Sequence, residues 1–342
     1  MRKLSASAPG TQASVRKRGD VGALALDSIA VDENANRQDA LSRRQVLLGV
    51  LAVAAGAATR ASAWSTAPAS KHRTAQWPCG VQLYSVAAEL AVDLPGTLRA
   101  LKRLGYETVE TAGLLGLTAA QMRTRIADAG LACRSMHANM ADLVGRLDQT
   151  IQAALDLGAT WLVCASPQPP TPLDPRQDWV AAMTAAMTRD AWKINAAHLA
   201  EIAPTVSRSG LRFAYHNHPM EFVDLGDGTC GYDLLLAATD PHELRLEMDL
   251  GWVRVGGRDP ASMIRTHADR LDLLHVKDMV RDPASPTGFR SVEVGQGLID
   301  WHVVFEAARA AKLQGYFVEQ EAPFKRPILE SLAMSREYLR TL

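Results

Sequence analysis

The 342-residue chain is 47% hydrophobic, enough for a large core, and its 37 Lys and Arg match its 37 Asp and Glu. A nucleic-acid binder would show a basic excess or stripe, so that balance argues against one. Four cysteines, Cys79, Cys133, Cys164 and Cys230, lack metal-ligand spacing, and a chain with so large a core has no need of a disulfide framework. Cys133 and Cys164 fall in apolar runs, where buried free thiols are expected.

Residues 1–41 are polar and without clear periodicity, and read as a disordered extension. The next stretch, "LSRRQVLLGVLAVAAGAATRASAW", places Ser42-Arg43-Arg44 before an apolar run from Val46 to Ala58 and the small-residue signal Ala61-Ser62-Ala63. A spanning helix needs about 20 apolar residues, so the run is too short to cross a membrane comfortably. Its layout is that of a secretory signal, and the paired arginines resemble a twin-arginine signal. Residues 42–63 are therefore expected to direct export to the periplasm. Cleavage near Trp64 would leave residues 64–77 as a linker and no stable membrane span. About forty residues precede the arginines, which points to a translation start downstream of Met1.

From Trp77 onward a helical stretch ends in or near Gly, and an apolar strand follows. The pattern recurs in "LKRLGYETVE", "IADAGLACRS", "ALDLGATWLV", "VSRSGLRFAY" and "AAKLQGYFVE". Gly105, Gly130, Gly158, Gly210 and Gly315 suit the left-handed position that closes a helix. Strands are predicted at 80–86, 106–110, 131–137, 160–165, 211–217, 244–250, 271–277 and 315–320. Their continuous apolar character fits a parallel sheet covered on both faces. Eight strand–helix units in about 265 residues fit a single-domain α/β (β/α)8 TIM barrel over 78–342. An open doubly wound sheet is the competing architecture, but no G-x-G-x-x-G follows the first strand.

In a barrel the chemistry gathers at the C-terminal ends of the strands. Those ends carry His137, His216 and His218, Asp249, His275 and Lys277, then Glu319 and Glu321. Singly, each has an ordinary explanation. A strand-end His more often caps or hydrogen-bonds, and Asp249 before Gly251 could start a turn. Together on consecutive strands they converge on one mouth. Two histidines and two carboxylates there suit one divalent ion such as Mn, Zn, Co or Mg. His137, Trp252 and Glu321 are the expected substrate-binding groups around it.

The runs "MDLGWVRVGGRDP", "LLHVKD" and "YFVEQE" resemble the sugar phosphate isomerase/epimerase family of xylose isomerase-like barrels. The resemblance covers about residues 78–342, and "GYETVETAGLLG" and "EVGQGLIDW" are similar to its exported branch. It implies a metal between the ends of strands five to eight, held by Glu, Asp, His and Glu. Asp249, His275 and Glu319 match the last three. Where relatives often have the first Glu, this chain has His216, with His218 and Glu221 close behind. The two-glutamate epimerase mechanism is therefore not assumed. His216, Asp249, His275 and Glu319 are the expected ligands, with His218 the alternative from strand five. Multi-zinc DNA-repair nucleases of the same fold tend to carry a His where this chain has Trp252, which argues against that activity.

The reading is a metal-dependent enzyme acting on an unphosphorylated sugar or keto-sugar by removing a proton next to a carbonyl. Isomerisation or epimerisation leads, β-elimination from a keto-sugar or keto-glycoside is the alternative, and a non-catalytic sugar-binding barrel is the remaining class. Glu319, His218 and Glu221 are candidate bases. Lys277 is placed to polarise a substrate oxygen or protonate a leaving group.

Overall fold

Apolar strands of four to seven residues close the sheet: β1 (Cys79–Gln82), β2 (Thr108–Thr111), β3 (Ala132–Ala138), β4 (Trp161–Cys164), β5 (Arg212–His216), β6 (Leu244–Asp249) and β7 (Leu271–Val276). Then come β8 (Asp278–Arg281), β9 (Phe289–Val292) and β10 (Gly315–Val318). These are the strands of a computed structural model that describes residues 77–342. The expected extension, signal and most of the linker lie outside the described residues. Trp77, the last residue of that linker, is already packed: its ring stacks on Phe305 and its Nε1 donates to the Leu313 carbonyl at 2.6 Å.

Eight parallel strands form a closed barrel in the order β1-β10-β7-β6-β5-β4-β3-β2. The closed ring excludes the doubly wound alternative, and each predicted strand overlaps one of its staves. Two details differ. The predicted first strand stops at Gln82, because Leu83–Val86 tightens into a 3-10 turn capped by the Gln82 side chain. The short antiparallel hairpin β8–β9 follows the seventh stave and was not expected.

Helix ends explain the recurrent glycines. Gly105 (φ 94°) and Gly158 (φ 80°) adopt the left-handed conformation just past their helices, where a side chain would be strained. Gly315 does not. Lys312 (φ 57°) takes the left-handed position after that helix, and Gly315 begins β10.

Side chains alternate across a strand, so residues two apart share the barrel interior. Trp161, Val163, Ala214, Leu273 and Phe317 form an apolar plug there. Two residues further along β5, β7 and β10 the inward positions become His216, His275 and Glu319. The barrel thus changes from apolar to polar in one layer, and the plug forms the floor of the site.

The hairpin is tied down by a buried carboxylate. Asp278 accepts hydrogen bonds from the backbone N–H groups of Met279, Gly295, Gly297 and Ile299, and from Trp301 Nε1. Such multiple pairing offsets the cost of burying it. Among the described residues no helix is long and apolar enough to cross a membrane, and the four cysteines are buried and free.

Candidate metal centre

His216, Asp249, His275 and Glu319 meet in one buried nest. Each offers a ligand atom, and those four atoms lie within 4.8 Å of one another. Register explains the meeting, since Asp249 of β6 pairs with His275 of β7, and His216 of β5 pairs with Glu247 of β6.

Asp249 does two jobs. Its Oδ1 accepts from Trp252 N–H at 2.7 Å, capping the helix Leu250–Val255, as its ordinary explanation required. That bond turns Oδ2 into the nest, where it is ion-paired to Lys277 Nζ at 3.0 Å and lies 3.8 Å from His275 Nδ1. Asn217 holds the strand end in place, bonding both backbone groups of Asp249 at 3.1 and 3.2 Å. Two imidazoles and two carboxylates with ligand atoms this close together are the donor chemistry a divalent ion needs. The residues fit the ion.

Beneath the nest lies a second polar layer that the sequence reading did not name. Glu110 of β2 and Glu247 of β6 are both fully buried. Glu110 Oε2 lies 2.6 Å from His275 Nε2 and 2.7 Å from Gln82 Nε2. Glu247 Oε2 lies 3.2 Å from His216 Nδ1 and 2.6 Å from His137 Nε2. His137 also approaches Glu110 at 3.0 Å, so one imidazole joins both carboxylates. Each metal-facing histidine therefore has one ring nitrogen against a buried carboxylate, which fixes its tautomer and leaves the other nitrogen for a ligand. For His275 that other atom is Nδ1, 2.8 Å from Glu319 Oε2. His137, expected to bind substrate, has its Nε2 engaged with these two carboxylates. His137, His216, Glu247 and His275 also lie close enough to hold an ion. Their mutual hydrogen bonds already occupy the facing atoms.

Lys277 is fully buried. Its Nζ stands 3.0 Å from Asp249 Oδ2, 2.9 Å from Glu319 Oε2 and 2.6 Å from Glu321 Oε1, and 4.5 Å over the Trp252 ring. Burial opposes its charge, but the three carboxylates outweigh burial and hold the ammonium protonated well above the usual lysine range. Burial likewise opposes charge on Glu319, yet Lys277 and His275 hold its carboxyl below the usual range. Glu247, Glu110 and Glu319 push the His275 imidazole up against burial, and the proton on Nδ1 that faces Glu319 is the one an ion bound there would displace. Trp252 and Glu321, both expected near the substrate, face the nest through Lys277.

His218 and Glu221 part company. Burial, then the nearby Lys277 charge, push the His218 imidazole down to about 3, so it stays neutral. Its ring packs edge-on to His216 at 5.0 Å, and its Nδ1 is buried without a hydrogen bond among the described residues. Glu221 lies elsewhere. A 3-10 turn, Pro219–Phe222, carries its carboxyl to Tyr215 OH at 2.8 Å and to the His218 backbone N–H at 3.0 Å. Tyr215 precedes His216 and so points out of the barrel interior. Burial pushes the Glu221 carboxyl up to about 8. Both its oxygens are thus spent on holding the turn that presents His218.

Residues 98–342 match the xylose isomerase-like TIM barrel family. The chain is 29% identical over 172 residues to the inosose dehydratase of Geobacillus thermodenitrificans, covering 45% of this chain and 55% of that one. It therefore spans about half the length of that curated relative. A solved sugar phosphate isomerase/epimerase from Parabacteroides distasonis is 23% identical with a TM-score of 0.63, covering 80% of this chain and 97% of that one. A xylose isomerase-like TIM barrel protein from Mycobacterium smegmatis, solved in complex with magnesium, is 18% identical with a TM-score of 0.57. That similarity covers 78% of this chain and 97% of that one. At such identities these two structures establish the fold alone. With a closed eightfold barrel and a family match over most of its length, the chain belongs to the xylose isomerase-like TIM barrel family.

Proposed function

We propose that the chain is a divalent-metal-dependent enzyme that removes the proton next to a carbonyl of a keto-sugar and expels a β-oxygen as water or alcohol. The observation that carries this reading is the ammonium of Lys277 standing 2.9 Å from the carboxylate of Glu319. An ion held by His216, Asp249, His275 and Glu319 supplies the Lewis acid that makes such a proton removable. Glu319, kept ionised by Lys277 and His275, takes the proton from carbon. Lys277, kept protonated by its carboxylates, gives a proton to the departing oxygen. A C–H and a C–O bond break, a C=C bond forms, and the proton gained by Glu319 passes to the neutral Lys277 across their 2.9 Å contact, which resets both groups. Acid and base adjoin, so proton and oxygen leave from the same face. The neutral His218, with Nδ1 unpaired, is placed to accept a hydrogen bond from a substrate hydroxyl. Similarity to an inosose dehydratase supports elimination.

Isomerisation or epimerisation is the second reading. It is favoured by a neutral imidazole, His218, placed to return the proton elsewhere on the substrate. The products distinguish the two. Metal-loaded protein incubated with keto-sugars and 3-keto-glucosides is expected to release water or the aglycone and leave an unsaturated ketone, detected by NMR and ultraviolet absorbance. An intact substrate skeleton with an inverted or deuterium-exchanged centre would contradict elimination.

Export to the periplasm is proposed on Ser42-Arg43-Arg44, the apolar run and Ala61-Ser62-Ala63. Changing Arg43→Lys and Arg44→Lys together is expected to leave the precursor in the cytoplasm by fractionation. Normal export of that variant would contradict the twin-arginine reading.

A further inference from the structure

Beyond the nest, aromatic rings lead to a second space. His218 packs on His216 at 5.0 Å, and Trp179 packs edge-on to His218 at 4.8 Å. Trp179 opens the helix Trp179–Ala186 after β4 and is 41% exposed, unusual for so large an apolar ring. Next to it is a cavity of about 150 Å3, whose lining includes Met140, Pro167, Pro169, Leu173, Trp179 and Met183.

That cavity is built rather than incidental. Its wall at Gln168 is pinned by Asn195, which is almost fully buried. Asn195 Oδ1 accepts from Gln168 N–H at 2.7 Å, and its Nδ2 donates to the Gln168 carbonyl at 2.9 Å. The same amide donates to the Ala191 carbonyl at 2.9 Å, anchoring the loop to the helix Arg189–Arg208. A buried amide satisfied on three backbone groups gives a firm wall.

Pockets for whole drug-sized ligands run to roughly 300–1,000 Å3, so this one suits a single ring. Its lining of Met, Leu, Pro and Trp suits an apolar ring. Two ring-to-ring steps, of 4.8 and 5.0 Å, separate Trp179 from the metal ligand His216, a span comparable to one sugar unit. We propose that this cavity is an aglycone subsite, and that the natural substrates are keto-glycosides bearing an aryl group rather than free keto-sugars. The sugar lies at the nest, with His218 between the two units. The inference rests on the function proposed above and narrows its substrate class.

Glycosides without a carbonyl bind but do not react, so they report the subsite alone. Phenyl β-D-glucopyranoside is expected to bind the zinc-loaded protein about ten-fold more tightly than methyl β-D-glucopyranoside, by calorimetry or saturation-transfer NMR. Trp179→Ala should remove that preference and leave methyl glucoside binding unchanged. Ala141→Leu, which narrows the cavity while keeping Trp179, should also remove it. Equal binding of the two glucosides by the wild type, or neither binding, would overturn the proposal. Cellobiose binding more tightly than phenyl glucoside would overturn the aryl assignment. A phenyl preference in a protein that neither binds zinc nor reacts with keto-glycosides would support the subsite while overturning the function proposed above, so the two failures are distinguishable.

Discussion

A His275→Ala variant is expected to bind zinc at least about 100-fold more weakly than the wild type, and to lose all turnover. Loss of a carboxylate merely hydrogen-bonded to a ligand histidine typically costs about 10- to 100-fold in affinity, so loss of the ligand costs more. The change also takes from Glu110 the partner 2.6 Å from its Oε2, leaving it Gln82 and His137. Removing one partner of a buried ionic pair typically costs about 3–5 kcal/mol, so this variant should melt earlier. Asp249→Asn separates the two effects. It keeps an oxygen for the Trp252 N–H and so keeps the helix cap, but loses the charge at the atom facing the nest. Its melting temperature should stay close to wild type while zinc affinity falls. Calorimetric zinc titration of both variants, alongside thermal unfolding, checks the pair. Wild-type affinity in Asp249→Asn would remove Asp249 from the site.

Glu319→Gln is expected to slow proton removal from substrate by roughly 10²- to 10⁴-fold, the usual worth of a positioned general base. The amide retains the shape of the carboxyl and still accepts from Lys277, but takes no proton from carbon. Deuterium incorporation next to the carbonyl and release of the β-oxygen should fall together, because one group starts both. If product release falls while exchange persists, Glu319 is not the base, and His218 becomes the remaining candidate beside the nest.

Much of this site was legible because barrels place chemistry at one end of their strands. Reading strand ends found His216, Asp249, His275, Lys277 and Glu319, and the structure brings all five together. It did not find Glu110 and Glu247, although both carry a period-two signal. Glu247 sits two residues before Asp249, and Glu110 ends the predicted second strand; each lies in an otherwise apolar run that reads as core. Their partners come from four different strands, so only the closed barrel shows that they are satisfied. Glu221 was expected as a candidate base because it closely follows His218 in sequence, but both its oxygens are taken by Tyr215 and the His218 backbone. The intervening turn carries it to Tyr215. The β8–β9 hairpin was hidden by its short strands and a Pro-rich connection, and the buried Asp278 organises it. Trp179 was missed because nothing in a Pro-rich stretch and a short helix start reveals which site the ring will border.

The most direct test of the metal centre is an anomalous-difference map from crystals soaked in zinc. One strong peak is expected at about 2.0–2.2 Å from His216, Asp249, His275 Nδ1 and Glu319. A peak lodged instead between His137 and Glu247, or the absence of any peak in the barrel, would contradict it.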